Sequence, residues 1–328
     1  MDELKLMVTL WPSFPHFPRF AQDERIWGIR LNSAQIELAD LNKEIELIKA
    51  LPEKIPLFYD VKGWQVRVEH VYENPDYLDL TLNHRISVKT PIPVLFKAGE
   101  DGALLERLEE NGKRLIFRGG PFLEVRKGES LHIRHPSYVV HGPTFTDFEL
   151  EKIETAKRGG FKKYFLSYVN NQRYVDEFLE LVGQDCEVWL KIESIEGLRY
   201  VAREFRKKSN LFLVAACGDM YVEIERPHQI MEAIELIIEK DSEACAGSRM
   251  LLSVVDGPVP SLADFLQLAW LYDKGYRNMM LCDEICLKEE LLSTAVNIFE
   301  SFRENYQSRS RISQKQKTTW IKDFLHLH

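Results

Sequence analysis

The sequence lacks a long apolar run, an excess of positive charge and a regular cysteine pattern. No apolar stretch approaches the roughly 20 residues that a membrane-spanning helix needs, and the acidic N-terminus MDELKLMVTLWPS contains no signal-peptide core. With 43 Lys and Arg against 51 Asp and Glu, the net charge of −8 argues against nucleic-acid and membrane partners. These absences predict a soluble cytoplasmic protein.

The five cysteines form an odd set without the spacing of a zinc site. Their flanking residues are apolar and strand-like, which favours reduced thiols. We expect Cys217 and Cys282 to be buried packing residues and not nucleophiles.

Short apolar segments alternate with amphipathic segments along most of the 328 residues. The apolar segments are continuous in hydrophobicity, which is typical of strands buried on both faces. They are LKLMVTLW, RIWGIRL, KIPLFYDV, FKKYFLSYV, CEVWLKIE, NLFLVAACGD, EACAGSRML and YRNMMLCDE. The amphipathic segments between them, such as TDFELEKIETAKRG, have the closing glycine or basic residue of helices. Eight strands alternating with helices predict an α/β fold, a closed (β/α)8 TIM barrel.

The alternation is interrupted once, between residues 68 and 142. Here YLDLTL, RISVKTPIPVLF, KRLIF and ESLHI are separated by Gly and Asn turns, which predicts a small β-rich domain inserted after strand 3. The barrel would then comprise residues 1–67 and 143–304. Residues 305–328 are polar and basic, and we interpret them as a C-terminal tail.

Polar side chains end the predicted strands, and the carboxyl ends of barrel strands converge on one mouth. In WLKIESIEGL, Lys191 and Glu193 are two positions apart and so share one face of a strand. The other strand ends carry Thr9, Arg30, Asn32, Asp60, Lys62, Ser167, Asp219, Ser248 and Glu284. Carboxylates this crowded need a counter-charge, which a divalent cation with a phosphorylated ligand would supply. Oxygen ligands favour Mg²⁺ or Mn²⁺ over zinc.

Each of these features also has an ordinary structural explanation. Lys191 and Glu193 taken alone favour a simple ion pair, and ACGD taken alone favours a Gly-Asp turn. Arg30 and Asn32 could cap the following helix. Only the joint placement of these residues at strand ends favours a functional mouth.

The order of the motifs resembles the pyruvate kinase family over nearly the whole chain. The segments VTLWPS, RLNS, DVKGWQVR, KIESIEG, ACGDMYVEI, GSRML and MMLCDE are similar to the family's CTIGPAS, RLNFSHG, DTKGPEIR, KIENxEG, ARGDLGVEI, ATQML and VMLSGE. The resemblance implies a barrel of the phosphoenolpyruvate/pyruvate-binding type with the inserted β-domain as a lid. It also implies that the family's C-terminal regulatory domain is missing.

The resemblance implies phosphoryl transfer between phosphoenolpyruvate and ADP, giving pyruvate and ATP, with Mg²⁺ or Mn²⁺ as cofactor. Glu193 and Asp219 would hold the metal ion. Lys191 would neutralise the phosphoryl group in transfer, and Arg30 would contact it as a bidentate donor.

The remaining family roles fall on neighbouring residues. The backbone N–H groups of Gly218 and Asp219, with the Ser248 hydroxyl, would bind the ligand's carboxylate. Ser248 would also join the proton relay to the enolate carbon. The family's K⁺ site falls on Asn32, Asp60 and Ser33, and its nucleotide phosphates fall near Asn32 and Arg67. The other mouth residues are Lys62, Ser167 and Glu284.

The chain departs from the family pattern on the acceptor and potassium sides. Val61 and Gln65 change the K⁺ surroundings, and Cys282-Asp283 replaces Ser-Gly ahead of Glu284. Trp11 replaces a glycine and would narrow the nucleotide pocket, and Tyr221 replaces a second glycine.

Two alternatives therefore stay open. One is a Mg²⁺-dependent lyase or transferase acting on another oxyacid or enolpyruvyl substrate. The other is a non-catalytic relative that binds a ligand. Assembly into a homo-oligomer is also left open.

Overall fold

A computed structural model describes residues 3–50, 55–74, 76–224 and 226–307. The strands in chain order are β1 Lys5–Thr9, β2 Ile26–Asn32, β3 Leu57–Val61, β4 Val68–Tyr72, β5 Asp79–Leu82, β6 Arg85–Ser87, β7 Ile92–Phe96, β8 Asp101–Glu109, β9 Arg114–Arg118, β10 Val139–His141, β11 Lys163–Leu166, β12 Glu187–Ile192, β13 Leu211–Ala216, β14 Cys245–Gly247 and β15 Asn278–Met280.

The helices alternate with the barrel strands. They are α1 Phe17–Phe20, α2 Leu38–Lys49, α3 Asp147–Arg158, α4 Gln172–Val182, α5 Ile195–Arg203, α6 Cys217–Glu223, α7 Ile230–Lys240, α8 Leu262–Lys274, α9 Asp283–Cys286 and α10 Glu289–Phe302. Local signals set several of their ends: Thr146 and Ser261 form capping boxes with Glu149 and Asp264. Gly275, with φ +111°, ends α8.

Eight parallel strands close into a barrel in the order β1-β15-β14-β13-β12-β11-β3-β2. The predicted (β/α)8 barrel is confirmed, and each of the eight apolar segments contributes one strand. The strands are buried on both faces because they lie between two apolar layers. A large layer packs them against the helices, while a smaller layer, which includes Phe58, Phe165 and Trp189, fills the barrel interior. This double burial explains why the strands are apolar without alternation.

A β-rich unit follows β3, as predicted. Strands β4, β5, β9, β8 and β7 form an antiparallel sheet in that order, and β6 pairs with β10. This unit, called the insert below, has its own apolar core, which includes Leu80, Val94 and Phe117. The domain boundaries at residues 68 and 142 stay predictions. Most of the predicted tail, residues 308–328, lies outside the described residues.

The five cysteines are buried and free of disulfide bonds, and burial raises the pKa of the Cys217 thiol to about 12. This agrees with a packing role. Across the part of the chain that the structure describes, no helix has both the length and the apolar composition required to cross a bilayer.

Gly63 follows β3 at the point where the chain leaves the barrel for the insert. Its φ of +49° lies in the left-handed region, and a Cβ there would come within 1.6 Å of the Tyr174 hydroxyl oxygen. That hydroxyl donates to the Ser167 carbonyl at 3.0 Å, so it is not free to move aside. Backbone conformation and packing therefore both require glycine.

We predict that Gly63→Ala lowers the free energy of unfolding by about 2–4 kcal/mol, since it adds a steric clash to left-handed strain. Gly160→Ala is the matched control, because Gly160 has φ +88° but open space around its Cβ position. It should cost only about 1 kcal/mol. If urea unfolding shows the same loss of unfolding free energy in both variants, the clash with the Tyr174 hydroxyl does not contribute to the cost.

Candidate active site

Strand alternation places the polar residues of the mouth directly above the apolar interior. On β12, Trp189 belongs to the interior layer, so Lys191 two residues later points the same way, and Glu193 follows it. On β3, Phe58 belongs to the interior layer, and Asp60, two residues later, points the same way. The aromatic layer thus forms an apolar floor beneath a layer of charged side chains.

Asp60 is the centre of this charged layer. It is fully buried, and its carboxylate contacts Arg30 Nη2 at 2.6 Å and Lys62 Nζ at 2.7 Å. Ser167 donates its hydroxyl to the other oxygen at 3.2 Å. Burial would raise the pKa of Asp60, but Lys191, Lys62 and Arg30 hold it well below its usual range. Asp60 therefore stays ionised, and its carboxylate pairs with both Arg30 and Lys62.

Lys191 connects Asp60 to the predicted metal ligands. Its ammonium nitrogen lies 2.9 Å from Glu193 Oε1 and 3.8 Å from Asp60 Oδ2, and it donates to Ser167 Oγ at 2.9 Å. Burial would lower the pKa of Lys191, but Asp60 and Glu193 raise it above its usual value. Lys191 therefore remains a buried cation at the edge of the cavity.

Glu193 and Asp219 are neighbours, and the negative charge of Asp219 acts on the Glu193 carboxyl group. Glu193 is fully buried, and its Oε2 accepts from the Tyr168 amide at 2.6 Å. Its Oε1 has no aligned donor although Lys191 is near. Burial raises the pKa of Glu193 and Asp219 raises it further, against the opposing charge of Lys191. Two adjacent carboxylates supply the oxygen ligands that a divalent cation such as Mg²⁺ takes.

The described residues contain no ready-made group of three or more His, Cys, Asp or Glu side chains able to hold a metal ion. A cation at Glu193 and Asp219 would thus take its other ligands from a bound molecule and water. Mg²⁺ is commonly bound in this way, through one or two carboxylates, substrate oxygens and waters.

Gly218 and Ser248 meet next to Asp219, at the first turn of α6. The Gly218 amide donates to Ser248 Oγ at 2.9 Å, and a Cβ on Gly218 would come within 2.8 Å of that oxygen. Ser248 has φ +61°, and Arg249 and Leu251 are also left-handed. Such strain concentrates at functional sites. It holds the Ser248 hydroxyl against the first turn of α6.

The three residues predicted for a monovalent cation have separate protein partners. Asp60 is bound to cations, the Asn32 amide oxygen accepts from the Ala34 amide, and the Ser33 carbonyl accepts from Lys152 Nζ at 2.8 Å. The geometry thus gives this assignment no support, and the K⁺ site stays a prediction.

A cavity of about 840 Å³ opens above the charged layer, between the barrel mouth and the insert. Its walls include Arg30, Asn32, Arg67, Lys191, Gly218, Asp219, Ser248 and Glu284.

Trp11, expected to narrow a nucleotide pocket, is instead 1% exposed in the core, and its Nε1–H group donates to the Asn32 carbonyl. The indole packs edge-on against Tyr59 and is not among the residues that line this cavity, so it does not narrow it.

Two contacts of the mouth were not predicted. Asp283, next to the predicted Glu284, lies 3.4 Å from Arg30 Nη1 and accepts from the Asn32 amide at 3.0 Å, whereas Glu284 is exposed. The replacement of a family glycine by aspartate was the available signal.

The second contact is His132, which the insert contributes. It is buried, donates from Nδ1 to Glu223 at 2.7 Å, and places Nε2 3.5 Å from Asp219. Sequence spacing gave no signal for this contact, because His132 and Asp219 come from different units of the fold.

Comparison with known proteins supports the resemblance. No family model matches the chain. A pyruvate kinase of Methanocaldococcus jannaschii is 25% identical over 300 residues, which cover 87% of this chain and 65% of that protein. A pyruvate kinase of Thermoplasma acidophilum is 23% identical over 301 residues, covering 85% and 54%. One of Borreliella burgdorferi is 24% identical over 296 residues, covering 82% and 61%. The predicted resemblance to pyruvate kinases is confirmed, and the chain spans between half and two thirds of these relatives' length.

We predict that Asp60→Asn lowers the free energy of unfolding by about 3–5 kcal/mol, because it leaves buried cations without their counter-charge. Glu46→Gln is the control: Glu46 pairs with Lys49 at 2.7 Å in an exposed position, so its loss should cost less than about 0.5 kcal/mol. A small and equal loss in both variants, measured by urea unfolding, would show that Asp60 does not hold the mouth together.

Proposed function

We propose that the protein is a pyruvate kinase-like phosphotransferase that moves the phosphoryl group of phosphoenolpyruvate to ADP with the aid of Mg²⁺. The observation that carries the proposal is the arrangement of Lys191 and Asp219 at the edge of one cavity, with the buried carboxylate of Glu193 beside both. The similarity to curated pyruvate kinases supports this function at the level of the family.

In this proposal, Glu193 and Asp219 hold the metal ion, which would neutralise charge on the substrate's oxygens. The bond between phosphorus and the enol oxygen breaks, and a bond forms between phosphorus and a β-phosphate oxygen of ADP. Lys191 faces the transferred group and offsets the negative charge that accumulates on it. Arg30, on β2, contacts the same group.

The first turn of α6, together with Ser248, would orient the enolpyruvate. The amides of Gly218 and Asp219 face the ligand's carboxylate together with the Ser248 hydroxyl, which turns from the Gly218 amide to the ligand. Ser248 then joins a relay that brings a proton from solvent to the enolate carbon: its hydroxyl takes up one proton as it gives one away, and pyruvate results. Arg67 and Asn32 line the side of the cavity where the nucleotide phosphates would lie.

The insert covers this site from above. His132 bonds to Glu223, and Arg134 donates to the Val222 carbonyl, both on α6. These contacts hold the insert over the helix that carries Asp219. A cover at this position would exclude water, which would otherwise accept the phosphoryl group.

A second candidate is a Mg²⁺-dependent enzyme that acts on another oxyacid through the same carboxylates. The contact between Asp283 and Arg30 favours it, because a protein anion lies where a phosphoryl group would bind. Turnover assays with phosphoenolpyruvate and ADP separate the two candidates.

We predict that Glu193→Gln and Asp219→Asn each abolish Mg²⁺-dependent binding of oxalate, a mimic of enolpyruvate, in calorimetric titration. Each change removes a charge from the pair that would hold the metal ion. Glu196→Gln is the control, since Glu196 is exposed and pairs with Arg199 on the surface of α5. Oxalate binding at wild-type strength in both site variants would remove Glu193 and Asp219 from the metal site.

We predict that Lys191→Met lowers the kcat for ATP formation by about 10²–10³-fold, because it removes a charge that acts on the transferred group. Mg²⁺-dependent oxalate binding should persist in this variant. Lys162→Met is the control, since Lys162 is exposed and pairs with Asp185 at the opposite end of the barrel. Thermal melting confirms that each variant is folded, and an unchanged kcat in Lys191→Met would contradict the role of Lys191.

A further inference from the structure

Each nitrogen of the Arg30 guanidinium group already has a partner in the protein. Nε and Nη2 contact Asp60 at 2.8 and 2.6 Å, and Nη1 donates to Thr9 Oγ1 at 3.2 Å. Nη1 also lies 3.4 Å from both carboxylate oxygens of Asp283. Asp60 is fully buried, whereas Asp283 lines the cavity, so Asp283 occupies the solvent side of Arg30.

A second bond fixes Asp283 in this position. The Asn32 side-chain amide donates to Asp283 Oδ2 at 3.0 Å. Asn32 itself is 5% exposed, and its side-chain oxygen accepts from the Ala34 amide. The Asp283 carboxylate is therefore held between a buried arginine and a buried amide, in the manner of a bound anion.

Asp283 also changes the charge of the mouth. Arg30 already pairs with the buried Asp60 carboxylate, and Asp283 places a second carboxylate on the cavity side of the same guanidinium group. A phosphoryl group that enters at Arg30 would therefore meet a like charge, which weakens its binding.

We propose that Asp283 is a specificity-determining residue, an internal anion on Arg30 that must be displaced before a phosphoryl group can bind there. It disfavours ligands that carry a phosphoryl group relative to oxyacids that bind through carboxylates alone. The inference rests on the proposed function, because that function assigns the phosphoryl group to Arg30.

The test compares phosphoenolpyruvate with oxalate, each titrated with Mg²⁺ into the full chain and into Asp283→Gly and Asp283→Asn. Both variants should bind phosphoenolpyruvate about tenfold tighter than the wild type, whereas oxalate affinity should change less than about twofold. Asp256→Asn is the control, an exposed acid on the same cavity wall, and it should change neither affinity. Thermal melting confirms folding.

Unchanged or weaker phosphoenolpyruvate binding in both Asp283 variants would overturn the proposal. An equal gain in oxalate affinity would also overturn the proposal. Asp283 would then repel every anion alike and would not discriminate against phosphoryl groups.

If neither ligand binds any of the proteins, the proposed function fails, and the Asp283 assignment is decided by titrating inorganic phosphate without metal. Phosphate binding gained in Asp283→Gly and absent in Asp256→Asn supports the assignment. No gain overturns it.

Discussion

The ionised carboxylate of Asp60 is the interaction on which the barrel mouth depends. A buried charge is costly unless opposite charges and hydrogen bonds surround it. Asp60 supplies that compensation to Arg30, Lys62 and Lys191 at once, directly above an aromatic floor. The rigid strands on both sides fix the positions of these cations. The result is a set of charged groups that is already oriented before any ligand arrives.

The mouth is completed by elements outside the barrel strands. The first turn of α6 brings Asp219 beside Glu193, and the insert closes over α6 through His132. Burial and like charge together raise the pKa of Glu193, so the pair favours an added cation. On the opposite side, Asp283 already neutralises part of Arg30. The metal side of the cavity thus needs a ligand to balance its charge, whereas the Arg30 side is largely balanced by the protein itself.

Local sequence patterns were sufficient to predict the barrel and the strand-end residues. The two-residue repeat of strands placed Lys191 with Glu193, and the convergence of barrel strands placed them near Asp60. Contacts between separate units could not be predicted in this way. The bond of His132 to Glu223 depends on how the insert lies on the barrel, and Trp11 entered the core because of its long-range packing with Tyr59. The substitution at Asp283 is visible in the sequence, but its contacts with Arg30 and Asn32 depend on how the strands and α9 meet in the fold.

The central claim is that Glu193 and Asp219 form a divalent-metal site that holds an oxyacid in the cavity. Crystals grown with Mn²⁺ and oxalate test it most directly, because Mn²⁺ is located by its anomalous scattering. We expect one ordered Mn²⁺ ion that contacts both carboxylates, with oxalate completing its coordination near Gly218 and Ser248. Oxalate bound without metal, or Mn²⁺ ordered elsewhere while these carboxylates stay unligated, would contradict the account.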